Sequence, residues 1–232
     1  MDGRRRKPMQ RIYGCGADKL MLKSYVLRQG RYTQAQKNAY ENLSQNILIP
    51  FSEETKIDIG NLTVEIGFGS GFATAEIAQA NPDRNYLGIE VHKPGIGRLL
   101  WEMEKRNLDN IKIIEYDAVL VFENMIQNCS LEAVHVFFPD PWPKKRHHKR
   151  RLVQRPFTDL LCKSLKKGGY IYFVTDWEEY ALFALEELSA TEGIKNEYDR
   201  FSPPQNWRPN TRFEQKGIAK EHVIRELFFR KT

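Results

Sequence analysis

Residues 65–71 read Glu-Ile-Gly-Phe-Gly-Ser-Gly. Glycines at alternate positions let a backbone turn tightly and approach a ligand at a helix N-terminus. A GxGxG run alone is weak evidence for any one ligand. Dinucleotide enzymes use GxGxxG, and here Phe72 and Ala73 follow Gly71, so that spacing does not fit. Glu65 is more telling. A carboxylate beside the glycines would repel a pyrophosphate, but it suits a ligand carrying ammonium and sulfonium charges, such as S-adenosylmethionine. Glu90 stands 19 residues past Gly71, and a carboxylate about 20 residues on accepts hydrogen bonds from ribose hydroxyls. Asp117 and Ala118 follow a third apolar run, where a side chain can accept from an adenine amino group and a backbone N–H can be offered. Each acid taken singly is more often a surface residue or a helix cap. Three acids at the ends of three successive strands, with a loop of Gly67, Gly69 and Gly71 after the first, describe an adenosyl pocket.

A second cluster reads Phe137-Phe138-Pro139-Asp140-Pro141-Trp142-Pro143 and runs straight into Lys-Lys-Arg-His-His-Lys-Arg-Arg at 144–151. Proline fixes φ, and the residue before a proline is held extended. Asp140 and Trp142 are thereby presented rigidly beside a dense positive segment, which suits one nucleobase held next to a phosphate backbone. The plainer reading is a stiff loop with a buried Trp. Trp142 is equally well explained as a base-stacking platform, worth ~1–3 kcal/mol, or as a loop anchor.

The elements that must position these residues alternate. Strand patterns at 61–67, 85–90, 111–117, 132–140 and 168–176 are separated by helical patterns at 71–81, 94–107, 119–128, 155–165 and 177–190. Residues 222–231 read as a final strand. Repeated βα units with short connections predict an α/β fold, a mostly parallel sheet with helices on both faces. Such sheets bind ligands beyond the carboxyl ends of their strands. Residues 1–50 form a basic, partly helical extension, and 51–232 the main domain.

With 232 residues, 41% of them hydrophobic and 28% charged, the chain can bury a sizeable core. No apolar run approaches the ~20 residues of a membrane span. The basic start, MDGRRRKPMQR, lacks the apolar region of a secretory signal. Cys15, Cys129 and Cys162 are scattered with no CxxC pair, so neither a disulfide framework nor a metal site is expected, and a reducing cytoplasm is the default. Net charge is +6, but residues 1–37 carry ten Lys/Arg against two Asp, and 144–151 carry six more. The remainder is acidic. Two concentrated basic segments on an acidic body point to a polyanion. A solvated tail and loop would be the bland explanation. A monomer or weak homodimer is expected.

These pieces resemble the bacterial tRNA (guanine-N7-)-methyltransferases, which are class I S-adenosylmethionine-dependent methyltransferases with a Rossmann-like fold. The resemblance covers nearly the whole chain. It is carried by SYVLRQGRYT (24–33), EIGFGSG (65–71), GIEVHKPG (88–95), YDA (116–118), FPDPWPKKRHHKRR (138–151), TDW (175–177) and TRFE (211–214). The proline segment with its basic tail and the late TRFE are the specific parts. The glycine loop is generic. The resemblance implies that Glu65, Glu90, Asp117 and Asp140 contact or flank the cofactor. It implies that Lys144, Asp176, Thr211, Arg212, Phe213 and Glu214 bind substrate. It assigns Arg146, His147, His148, Lys149, Arg150 and Arg151 to RNA, and the target to a guanine in the tRNA variable loop. His147 and His148 then read as RNA contacts rather than proton carriers. Taken alone, Asp176 reads as a helix N-cap and Glu214 as a surface carboxylate. Three alternatives stay open at this point: a methyltransferase acting on another RNA atom, a non-catalytic RNA-binding scaffold, and a nicotinamide dehydrogenase, the last disfavoured by Glu65 and the glycine spacing.

Overall fold

The computed structural model describes residues 23–25, 33–210, 214 and 223–232. Its centre is a seven-stranded sheet: β1 (Leu62–Ile66), β2 (Asn85–Ile89), β3 (Ile111–Ile114), β4 (Leu131–Phe137), β5 (Leu165–Thr175), β6 (Ile194–Asn196) and β7 (Arg225–Lys231). The strand order is β3-β2-β1-β4-β5-β7-β6. Strands β1 to β5 run parallel. β7 lies antiparallel to β5, and β6 antiparallel to β7. This is the expected α/β fold with its C-terminal antiparallel strand. The order reverses between β1 and β4, so a crevice opens beyond their carboxyl ends.

The parallel strands are buried on both faces, which is why they read as continuous apolar runs. Every residue of β1 is buried. Leu62, Val64 and Ile66 face one core with Leu87, Val134 and Phe173. Helices α4 (Ala118–Asn124), α5 (Phe157–Ser164) and α6 (Glu178–Ser189) close that core with Phe122, Phe157, Leu161 and Tyr180. On the other face α2 (Phe72–Ala80) and α3 (Lys93–Arg106) contribute Ala75, Leu99, Leu100 and Met103, packed with Phe137, Tyr172 and Val174. Each buried Leu, Val, Met or Phe among these stabilises by ~1.5–3 kcal/mol.

The described part of the N-terminal extension forms α1 (Gln34–Ile47). Thr33 and Gln36 make a capping box, with Gln36 N donating to Thr33 Oγ1 at 3.3 Å and Thr33 N to Gln36 Oε1 at 2.8 Å. Ala39 is buried with the α3 side of the sheet, and Ile49 N donates to Ile113 O at 2.8 Å.

Two strands stop earlier than their sequence patterns. The third ends at Ile114 rather than 117, because Asp117 leaves the ladder to cap α4. The fourth ends at Phe137 rather than 140, because Pro139 has no N–H with which to continue it. The basic run forms a short 3-10 turn, η1 (Lys145–Arg150).

Candidate active site

The glycine loop turns as its composition requires. Gly67, Gly69 and Gly71 all have positive φ, at 72°, 57° and 68°, a region open to glycine at little cost. Gly71 is the N-cap of α2 and packs on Leu99, whose Cβ would lie 2.5 Å from an added methyl. Gly95 is tighter still. A Cβ there would sit 2.0 Å from Gly69 O, so the first turn of α3 rests directly on the loop.

Two cavities meet at this loop. One, of about 300 Å³, is lined by Gly67, Glu90, His92, Ala118, Phe138 and Asp140, with Ser24, Tyr25, Tyr116 and Leu152. The other, of about 540 Å³, is lined by Glu65, Gly67, Gly69, Phe72, Arg98 and Phe138. Gly67 and Phe138 belong to both, so the two adjoin beyond the ends of β1, β2 and β4 and together outline a trough. Its size suits a ligand as large as a nucleoside with an amino-acid tail.

The acids differ in how they are held. Glu65, 4% exposed, accepts from the Thr74 hydroxyl at 2.8 Å. Burial pushes its carboxyl up to about 7, with the Thr74 bond opposing and the charge of Glu90 adding. A carboxylate so poorly solvated is offset best by a cation in the trough, and a sulfonium or ammonium group supplies one. Glu90 is already engaged by backbone. Gly69 N donates to its Oε2 at 2.9 Å, and Val91 N and His92 N to its Oε1 at 2.7 and 3.1 Å. It therefore ties the glycine loop to the end of β2 while still facing the first cavity. Asp117 is the N-cap of α4, accepting from Val119 N at 2.9 Å and Leu120 N at 3.3 Å. It lies in a neighbouring recess with Lys23 and Tyr25, whereas Ala118 faces the adenosyl-sized cavity itself.

The proline segment forms a turn whose shape is costly. Phe138 and Trp142, neither of them glycine, have φ of 49° and 48°. Such conformations cost ~1–3 kcal/mol each and persist only where the surroundings impose them. Trp142 supplies part of that imposition. It is 8% exposed, its indole N–H donates to Ser24 O at 3.0 Å, and the Arg150 guanidinium lies 4.1 Å over its ring. It is a loop anchor, and both its polar atom and one ring face are taken. Arg150 also donates to Lys23 O at 3.0 Å, so the turn and residues 23–25 are fastened together.

Along the basic run, Lys144, Arg146 and Lys149 are exposed. His147 stands edge-on to Trp142, and desolvation together with Arg146, Arg150, Lys144 and Lys149 holds its imidazole below the usual range. His148 Nε2 lies 3.2 Å from Glu179, off the line of a hydrogen bond. Arg151 departs from the expectation of a phosphate contact. It is 1% exposed and turned inward, because its guanidinium serves Pro141 O and Glu179.

Of the remaining candidates, Asp176 is half-buried where β5 meets α6, and the N-cap there is Trp177 instead. Thr211, Arg212 and Phe213 lie outside the described residues. Glu214 is not a surface carboxylate. It is 4% exposed and forms a bidentate pair with Arg208 at 2.6 and 2.7 Å, and Arg208 reaches on to Glu226 of β7 at 2.8 Å. Sequence reasoning from residue types misses Thr74, Tyr25, His92, Phe138 and Arg98. Only Phe138 carried a local signal, its place before Pro139. Among the described residues no group of three or more His, Cys, Asp or Glu could hold a metal ion, and no helix is long and apolar enough to cross a membrane.

Comparison with known proteins gives the family. A family model described as "Putative methyltransferase" matches residues 60–227. A tRNA (guanine-N(7)-)-methyltransferase of Nitrosomonas eutropha is 48% identical over 218 residues, 91% of this chain and 97% of that protein. The protein of the same name from Nitrosomonas europaea is 46% identical over the same shares. Among solved structures, the 16S rRNA methyltransferase KamB superposes with a TM-score of 0.55 at 12% identity, covering 88% of this chain and 97% of that one, a likeness of fold alone. Matched by the family model over most of its length and nearly half identical to relatives along nearly their whole length, the chain belongs to the tRNA (guanine-N7-)-methyltransferase family.

Proposed function

We propose that the chain transfers the methyl group of S-adenosylmethionine to N7 of a guanine in the variable loop of tRNA. The observation that carries this reading is the strained turn that puts Asp140 on the wall of the same cavity as Gly67 and Glu90. The adenosyl group lies against Ala118, Tyr116 and Glu90, its ribose hydroxyls facing Glu90. The charged end lies toward Glu65 in the larger cavity.

When bound, S-adenosylmethionine supplies a sulfonium methyl that the in-plane lone pair of N7 attacks, leaving S-adenosylhomocysteine. N7 bears no proton, so no residue is needed as a base. Asp140 orients the guanine by accepting from N1–H or the exocyclic amine, and its charge favours the cationic methylated purine. Positive charge moves but is not created, so rate comes mainly from in-line placement. Atoms held ~3–3.5 Å apart in line can supply ~7–11 kcal/mol. Lys144, Arg146, Lys149 and Arg150 meet phosphates of the substrate, with His147 and His148 beside them. Asp176 and the 211–214 segment close the guanine side. The N-terminal cluster Arg4, Arg5, Arg6 and Lys7, with Arg28 and Arg31, gives a second contact to the RNA. Structured RNA is read mostly through backbone, 2′-hydroxyls and exposed bases, so selection rests on tRNA shape.

Incubation with labelled S-adenosylmethionine and unmodified tRNA, followed by nucleoside identification, tests the reading. Label in 7-methylguanosine is expected. Label in another nucleoside would reject the choice of atom, and no binding of S-adenosylhomocysteine by titration calorimetry would reject the cofactor.

A further inference from the structure

We propose that Arg151 is a positioning residue for this methyl transfer: it clamps the turn that carries Asp140 and makes no contact with tRNA phosphate. The proposal rests on the methyltransferase reading and adds to it.

The turn at 138–142 is poor in backbone donors of its own. Pro139 and Pro141 have no N–H to offer, and Phe138 and Trp142 are held in left-handed conformations. Phe138 N is spent on Val174 O at 2.8 Å, which ties the start of the turn to β5, and a donor from outside the turn reaches its middle. Arg151 Nε supplies one, donating to Pro141 O at 3.0 Å. Pro141 is the residue immediately after Asp140, so this bond fixes a peptide plane adjoining the one that sets the direction of the carboxylate.

The guanidinium is itself fixed on every side. Nη2 donates to Glu179 of α6 at 3.3 Å. The rings of Tyr180 and Phe183 lie 5.1 and 4.9 Å from its centre. With 1% exposure it has no surface left for a phosphate. Neighbouring arginines therefore face opposite ways: Arg150 toward Trp142 and residues 23–25, Arg151 into the α6 side of the domain. A planar fork can serve a carbonyl and a carboxylate at once, which a lysine ammonium at the same position does poorly.

The test compares R151M, R151K and E179A with the unaltered full-length chain, measuring kcat, tRNA affinity across salt concentration, and thermal unfolding. R151M is expected to lower kcat by about tenfold or more, the scale of a small misplacement of reacting groups. Its tRNA affinity and salt slope should stay unchanged. R151K should recover part of kcat. E179A removes the exposed partner of the clamp, whose side-chain exposure is 55%, along with the carboxylate near His148. It should lower kcat less than R151M does, with the unfolding temperature held. A salt slope that falls by about one in R151M would make Arg151 a phosphate contact and overturn the proposal. So would full kcat in a folded R151M. If R151M does not fold, an unchanged kcat in E179A overturns it. No 7-methylguanosine from the unaltered chain would instead sink the methyltransferase reading, and this proposal with it.

Discussion

Glu65 is held by where its strand lies, whereas Asp140 is held by what grips its loop. Glu65 is part of β1, and the sheet's own register buries it at the mouth of the trough. The glycine loop beside it owes its shape to glycine, and Gly95 of α3 is seated on it by close approach. Asp140 sits instead on a turn with two left-handed non-glycine residues, kept in place by Arg151 from outside it and by its own Trp142 bonding Ser24. One half of the site is a property of the fold. The other is assembled from long-range contacts and is open to disturbance at a distance. On the proposed reading the cofactor side is therefore pre-formed by elements that must exist anyway, while the substrate side depends on a few particular hydrogen bonds.

Replacing the aimed carboxylate gives the largest contrast. D140A should cut turnover by at least ~10²-fold, the scale of lost orientation, with tRNA affinity nearly unchanged in filter binding. A loss of tRNA affinity equal to the loss of rate would erase the distinction between aiming and binding. A smaller, pH-dependent effect is expected on the other half. In the cofactor-free protein the Glu65 carboxyl, raised from 4.5 to about 7, takes a proton as pH falls through 7. Affinity for S-adenosylmethionine should therefore fall from pH 8 to pH 6. The same shift has the opposite sense for folding. A carboxyl raised in the folded state contributes stability below its unfolded value, and that contribution is lost as pH rises through about 7. E65Q should thus weaken cofactor binding, remove its pH dependence, and raise the unfolding temperature of the cofactor-free protein at pH 8. Equal pH dependence in E65Q and the parent would assign the titration to another group. The mildest effect belongs to the exposed cations. R146E with K149E should reduce tRNA affinity and lower the salt slope by about one for each phosphate no longer neutralised, with kcat at saturating tRNA little changed.

What could be read from the sequence follows the same division. The βα alternation, the glycine loop and the acids after the strands are local patterns, and local patterns survive in a linear string. Asp117 shows their limit, since the residue placed correctly after β3 spends its carboxylate on the N-terminus of α4. Arg151 and Glu214 show why the rest was hidden. Both look like surface charges in sequence, yet each is buried by a partner far from it in the chain or just beyond a proline-rich loop, Glu179 for one and Arg208 for the other. Nothing in the run KKRHHKRR marks its last residue as the one that turns inward. The two resting places proposed for Trp142, stack or anchor, are separated only by knowing that Ser24 lies opposite its indole.

The reversal of direction at β7 has a practical consequence. Arg225 pairs with Thr175 at the rim where ligands enter, and the strand then runs away until Lys231 pairs with Ile194 and Thr232 N bonds Gly193 O. The final residue thus emerges on the far side of the sheet from the trough, while Ser24 and Tyr25 roof it. A fluorophore or affinity handle joined after Thr232 should be a silent passenger in binding assays.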